Sequence, residues 1–338
     1  MEKTRRWRWG VNRWFVLLFI VLSVFAARAY SPVLPHVQLP AETLSEHPLL
    51  TVPGVGDIYL TNTLIATLLA DIILLALAFA IRAAIKRGSL ILTGIAGAVE
   101  ALLEALYGLA ETSAGKWAKS IFPWMATIVM LVLVVNWMEL IPGVDSIGLL
   151  HHDEEGYPVQ TVGKIGGLDL VTIVSKSESA GTTEAAEPVG QENSFGIVPF
   201  VRVASTDLNF TVALALIAVS ITQVFGIRAL GLSYFTKFFN VKTLFNKPIF
   251  GVIDFAVGIL ELVSEFSKIL SFSFRLFGNI FAGSVLLFVI GSLVPVMAQS
   301  GLLMLEFFIG LIQAIIFGML TMIFMAQATA SHGHEEDH

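Results

Sequence analysis

Ser271, Arg275 and Asn279 stand four residues apart, which stacks them on one helical face, inside a proline-free apolar run from Ile249 to Val294. A charge at the centre of a membrane helix costs about 2.5–3.5 kcal/mol on insertion scales, so by default it marks a functional site. The bland alternative is an arginine snorkelling at a membrane boundary. It is strained here, because roughly fifteen apolar or small residues follow Arg275 and a mostly apolar turn or two precede it. On the same helix Glu261, Lys268 and Arg275 recur every seven residues, which keeps them within about 40° of one another at 100° per residue. Glu265, three before Lys268, has ion-pair spacing. In the next apolar run Glu306 and Gln313 are again seven apart, and Gln313 can approach Arg275 if the two helices pack antiparallel. Two further polar sets sit at helix ends: Asn136 with Glu139, and Asp207 with Asn209 and Thr211. Asp207 serves equally well as an N-cap.

Such a set suits proton relay across a membrane. Carboxyls exchange protons near neutral pH once burial raises their pKa, whereas arginine does not deprotonate. A fixed cation lowers the pKa of a carboxylate brought beside it, forcing proton release, and blocks direct leakage past itself.

The elements that must hold these residues follow from hydropathy. The 338 residues are 56% hydrophobic and only 14% charged, with a mean hydropathy of +0.81, far from the roughly 25% charge of soluble domains. Residues 1–29 join a basic start, an apolar stretch Trp14–Ala27 and a small-x-small site, reading as a signal peptide or a retained signal anchor. A proline-bearing outside segment, 30–58, leads to the first firm span, Tyr59–Ile81, whose mid-span Asp71 should face the bundle. Leu90–Ser113 carries Glu100, Glu104 and Glu111 as one acidic stripe of an interfacial helix. Ile121–Ile141 is the second span, stopped by Pro142-Gly143, so residues 59–141 form one block. A long acidic outside loop, 142–206, precedes a third span and connection over 207–248. Within the loop Lys176–Ser194 is close to low complexity.

The C-terminal block 249–330 holds two over-long apolar segments, Ile249–Val294 and Val296–Ala330, parted by Pro295. At 1.5 Å per residue they measure about 69 and about 52 Å against a hydrocarbon core of ~30 Å. Either both lie steeply tilted as a hairpin, the reading we prefer, or each breaks at glycines such as Gly258, Gly278 or Gly310. The fold class is therefore all-α: a polytopic membrane protein with about five core transmembrane or tilted helices. Charge bias orients it. The segments placed in the cytoplasm before residue 249 hold five Lys or Arg in 1–13, five in 82–119 and four in 228–247. The outside segments hold only Arg28, Lys164, Lys176 and Arg202. This positive-inside pattern puts the tail 331–338 in the cytoplasm.

Much chemistry is excluded. With no cysteine there is no disulfide, thiolate metal site or cysteine nucleophile. No phosphate-binding G-x-x-x-x-G-K-[ST] loop occurs, since Gly115-Lys116 and Gly163-Lys164 lack the hydroxyl residue. There is no G-x-S-x-G elbow and no basic stripe for nucleic acid. His151-His152 and the tail SHGHEEDH read as exposed histidines, and no cofactor or metal is expected.

The segment Arg275-Leu-Phe-Gly-Asn279-Ile-Phe-Ala-Gly283 resembles the signature of subunit a of the F-type ATP synthase. The likeness runs from about residue 55 to 330 apart from the outside loop. It takes in Glu100, Asn136-x-x-Glu139-Leu-Ile-Pro142, Asp207-Leu-Asn209-Phe-Thr211, Glu261 with Lys268, and Gln313-Ala-x-x-Phe317. The resemblance implies a stator that forms two offset aqueous half-channels against a ring of c subunits, in a bacterial-type plasma membrane. Its other partners would be the peripheral-stalk subunit b and the remaining synthase subunits, and it would not be an enzyme by itself. Arg275 would meet the ring carboxylate. Asn279, Glu306, Gln313, Asn136, Glu139, Asp207 and Asn209 would line the outside half-channel, with Glu261, Lys268 and Ser271 towards the cytoplasmic one. Three departures stand out. Ser284 replaces an ionisable residue after Ala-Gly, Glu306 stands where some relatives carry histidine, and Ile269 replaces a proline. The alternative function is a self-contained secondary transporter or channel, which would show paired repeats or interrupted half-helices. A membrane scaffold without transport would leave the arginine unexplained.

Overall fold

A computed structural model describes residues 9–29, 40–45, 47–54, 56–87, 93–141, 143–165, 168–173, 194–238, 248–294 and 296–330. Among the described residues there are seven α-helices: α1 Trp9–Ala29, α2 Asn62–Lys86, α3 Ile95–Ala114, α4 Ala118–Met138, α5 Leu208–Leu230, α6 Pro248–Leu293 and α7 Met297–Thr329. Five helical stretches among these residues are long and apolar enough to cross a bilayer, with α3 and α4 counting as one stretch. The all-α expectation holds, and each long C-terminal segment is a continuous helix, of 46 and 33 residues, with no break at its glycines.

In the segments expected to be irregular, the described residues form three antiparallel two-stranded sheets. The first pairs β1 Leu50–Val52 with β2 Gly56–Ile58 about Gly54, whose φ of +90° a side chain rarely adopts. In the long loop β3 Gly148–Tyr157 pairs with β6 Phe195–Pro199, and β4 Val159–Ile165 pairs with β5 Leu168–Ile173. Of the low-complexity stretch, residues 176–193 lie outside the described residues, as does the tail 331–338.

The chain divides into two compact units: residues 1–62, 139–202 and 281–308 form the first, and residues 63–138, 203–280 and 309–338 the second. The second unit has the larger apolar interior. There Gly318 of α7 lies so close to Val129 of α4 that a Cβ would overlap the valine methyl. Phe272 of α6 packs on Phe317 and Phe324 at centroid distances of 5.0 and 5.6 Å. The α3–α4 corner turns on Gly115 at φ +50° and sets Tyr107 edge-on to Phe122. Glu100, Glu104 and Glu111 form an exposed stripe on α3, as their spacing predicts.

One expectation fails. Asp71 is exposed on α2 rather than turned into the bundle. The helix is apolar all round, so its pattern marks no inward face. Its small buried positions, Ala66 and Ala70, pack inwards instead.

In the first unit polar contacts fasten the end of the loop and the start of α2 to the segment before it. Arg202 Nη1 donates to the Pro40 carbonyl at 3.1 Å, and Asn62 Nδ2 donates to Glu42 at 3.0 Å. Asp145 has a buried oxygen, Oδ1, without a hydrogen-bond partner among the described residues. Burial pushes its carboxyl up to about 6, against the opposing pull of Arg202. A folded-state pKa above the unfolded value makes stability highest at low pH, with loss as pH rises through about 6. Hydrogen exchange over 143–202, corrected for intrinsic rates, should therefore be slower at pH 5 than at pH 7.5. Asp145→Asn should erase that difference.

Candidate functional site: polar groups within the apolar helices

Three polar clusters lie in the second unit. On α6, Arg275 Nη2 donates to Ser271 Oγ at 3.1 Å, the bond their i, i+4 spacing allows. The guanidinium is half-buried, and Ser271 is exposed beside it. Asn279, on the next turn, donates through Nδ2 to Gln313 Oε1 of α7 at 2.9 Å. The sequence pointed Gln313 towards Arg275; in the structure Asn279 takes its oxygen, and the arginine turns to Ser271. Gln313 Nε2 is buried without a hydrogen-bond partner among the described residues. Such an orphan donor calls for a water or an incoming group.

A second cluster joins α4, α5, α7 and the turn before α5. The carboxamide of Asn136 accepts from Ser205 Oγ at 2.7 Å and donates to the Gly310 carbonyl at 3.3 Å. A side chain at residue 310 would crowd Asn136 and Trp137. Asp207 caps α5 by accepting from the Asn209 backbone N–H at 2.9 Å, while its second oxygen accepts from Thr63 of α2 at 3.0 Å. Both carboxylate oxygens are thus engaged in structure. The Asn209 side chain is exposed.

The third cluster is centred on Glu265, buried on α6. The expected ion pair forms, with Lys268 Nζ 2.8 Å from Glu265 Oε1. Gln223 of α5 donates through Nε2 to Glu265 Oε2 at 3.0 Å and accepts through Oε1 from the Tyr234 hydroxyl at 2.7 Å. Lys268 also lies over the Phe324 ring, 4.6 Å from its centroid. Burial, then the nearby Glu265 and Glu261 carboxylates, push the Tyr234 phenol up to about 12, so it remains a donor. Glu261 is half-buried one turn before Glu265. The Tyr234 ring rests directly on Gly226 of α5, where any Cβ would overlap it. Gly226→Val should cost about 1–3 kcal/mol through overpacking, measured as a lower melting temperature of the detergent-solubilised protein; an unchanged value would refute the contact.

Two of the candidate proton-relay carboxyls lie in the first unit. Ser284 Oγ of α6 donates to Glu139 Oε1. Glu306 of α7 is buried, and its carboxyl lies against Gly283 so closely that a Cβ there would overlap it. Glu139 and Glu306 are near enough to feel each other's charge.

The structure thus places Arg275 with Ser271, Asn279 with Gln313, and Lys268 with Glu265. It adds Ser205, Ser284, Gln223, Tyr234 and Thr63, which sequence reasoning missed. Only Ser284 carried a signal in advance, by standing directly after Ala282-Gly283 where an ionisable residue was expected. Among the described residues no group of three or more His, Asp or Glu could hold a metal ion. His152 is exposed, with Nδ1 2.8 Å from the Ser194 carbonyl.

A family model described as ATP synthase A chain matches residues 64–326. The chain is 29% identical over 287 residues to ATP synthase subunit a of Mycobacterium ulcerans, covering 82% of this chain and 89% of that one. It is 25% identical over 279 residues to ATP synthase subunit a of Moorella thermoacetica, covering 82% and 94%. It is 37% identical over 144 residues to ATP synthase subunit a of Campylobacter jejuni, covering 42% and 60%.

Proposed function

The chain belongs to the ATP synthase A chain family, and from that premise we propose that it is the stator subunit of a rotary synthase, carrying protons in two half-channels against a ring of c subunits. One observation carries the reading. Arg275 bonds to a neutral serine, while Lys268 on the same helix pairs with Glu265. The arginine therefore keeps a positive charge in an apolar helix with no carboxylate partner of its own among the described residues. A ring carboxylate passing in the membrane supplies that partner from outside the chain.

In this reading Asn279, Glu306, Gln313, Asn136, Glu139, Asp207 and Asn209 serve the half-channel open to the outside, and Glu261, Lys268 and Ser271 the cytoplasmic one. Lys268 acts with its charge balanced by Glu265, so it shapes that entrance without competing with Arg275. Asp207, whose oxygens are both engaged, acts by fixing the start of α5 and Asn209 upon it. The chain holds no nucleotide chemistry. It works in a bacterial-type plasma membrane, with its C-terminus in the cytoplasm, beside subunit b of the peripheral stalk and the other synthase subunits.

The test is isolation from native membranes in mild detergent. The chain should co-purify with a ring of small helical-hairpin subunits, and vesicles holding the assembly should acidify when given ATP. A solitary oligomer that carries ions unaided would replace the stator by a transporter.

A further inference from the structure

The sequence leaves α1 as either a leader removed after export or a helix that stays. Within its apolar stretch Trp14–Ala27 there is one polar residue, Ser23. The large apolar side chains from Trp14 to Phe25 are exposed, whereas Ser23 is only 6% exposed. Apolar groups outside and the polar group inside is the pattern of a helix surrounded by lipid. Ser23 also makes a specific bond: its Oγ accepts from the Met297 backbone N–H at 3.1 Å. Met297 opens α7, and the first four N–H groups of a helix have no partner within it. Val296, directly before it, has no side-chain oxygen with which to cap. Helix α6 closes on the same turn, where a Cβ at Gly291 would lie 3.3 Å from the Gln299 carboxamide carbon. The start of α7 is thus flanked by α6 and capped by α1.

Placement in the bilayer agrees with this bond. The basic residues of 1–13 hold the start of α1 in the cytoplasm, so Ser23, in its last two turns, comes near the outer face. The same charge bias puts the turn between α6 and α7 outside, which is where Met297 lies in the sequence. With 21 residues α1 is about 32 Å long. Its apolar centre, Arg13–Ala26, is shorter, but the arginines at its margins, Arg13 and Arg28, can extend to the interfaces. We infer that α1 is retained in the mature protein as a further membrane-spanning helix, and that its Ser23 caps α7 and pins the outer end of the α6–α7 hairpin. Cleavage after Ala29 would remove the cap and leave the Met297 N–H against an apolar turn, away from any side-chain acceptor of its own segment. The helix so pinned is the one that bears Glu306, nine residues further on.

The first test needs no variant: the assembly is isolated from native membranes, and the intact mass and N-terminal sequence of this chain are determined. The mass should include residues 1–29. A mature chain that begins at Tyr30, or anywhere beyond Ser23, would overturn the inference. The second test concerns the docking. Because the natural chain has no cysteine, Ser23→Cys with Met297→Cys can be oxidised without competing thiols, and the bond between these residues brings their backbones within disulfide reach. After cleavage at a protease site inserted between Ala185 and Ala186, the two fragments should stay joined until reductant is added. Phe25→Cys with Met297→Cys is the control, since Phe25 is two residues on and about 200° around the helix, and its fragments should separate. Fragments that separate in both pairs, or stay joined in both, would overturn the docking. The third test concerns the cap. Amide exchange over 297–301 should quicken about fivefold in Ser23→Ala, the loss of one N-cap, and Ser23→Thr should restore the slow rate. Unchanged exchange in Ser23→Ala would overturn the cap. None of these readouts depends on whether Arg275 works as proposed.

Discussion

Arg275→Ala should abolish ATP-driven acidification of inverted vesicles while the ATPase sector continues to hydrolyse ATP. The side chain is half-buried in α6, and its described bond goes to the uncharged Ser271 hydroxyl. An opposite charge within ~4–6 Å lowers a carboxylate pKa by roughly 1–3 units. Removing the guanidinium therefore slows enforced deprotonation of a ring carboxylate roughly 10- to 1000-fold and opens a leak between the half-channels. Both effects act against a measurable gradient. Arg275→Lys should fail as well, because a buried lysine can lose its proton and cannot hold a fixed charge. Ser271→Ala should be mild, since Ser271 orients the guanidinium without supplying charge. Normal acidification by the alanine variant would remove the arginine from the centre of the mechanism.

That prediction was legible in the sequence because its parts are local. The i, i+4 relation of Ser271 and Arg275 and the i, i+3 relation of Glu265 and Lys268 both appear as bonds in the structure. Helix extents were legible for the same reason: hydropathy marks α2, α4 and α5, Pro248 and Pro295 bracket α6, and Pro295 precedes α7. Contacts between elements distant in the chain were not. Ser284 meets Glu139 across 145 positions, and Ser205 meets Asn136 across 69, so no periodicity within one helix can announce either. Gln313 shows the intermediate case. Its heptad relation to Glu306 placed it on the right face, but the partner turned out to be Asn279, because Arg275 is held one turn away by Ser271. The β1–β2 hairpin did have a local signal, Pro53-Gly54, which surrounding prolines disguised as general irregularity. The outward turn of Asp71 had none, since an almost uniformly apolar helix leaves its orientation to tertiary packing.

Glu306→Gln should slow passive proton conductance through membranes stripped of the ATPase sector by about a hundredfold, the lower end of what a positioned acid–base group contributes. The glutamine keeps the size and most of the hydrogen bonding of the side chain but cannot give up or take a proton. Of the two candidate relay carboxyls in the first unit, Glu139 is held by Ser284, whereas Glu306 rests against the bare Cα of Gly283. The glycine leaves room for the carboxyl, so Gly283→Ala should slow conductance too by displacing it. The two effects should not add. Once the carboxyl is gone, the methyl group at 283 has no proton carrier to displace, and Gly283→Ala in the Glu306→Gln background should change conductance little further. Additive losses would mean that Gly283 acts by packing alone. Unchanged conductance in Glu306→Gln would assign proton entry to Glu139, and Ser284→Ala would then become the variant that separates its proton exchange from its anchoring.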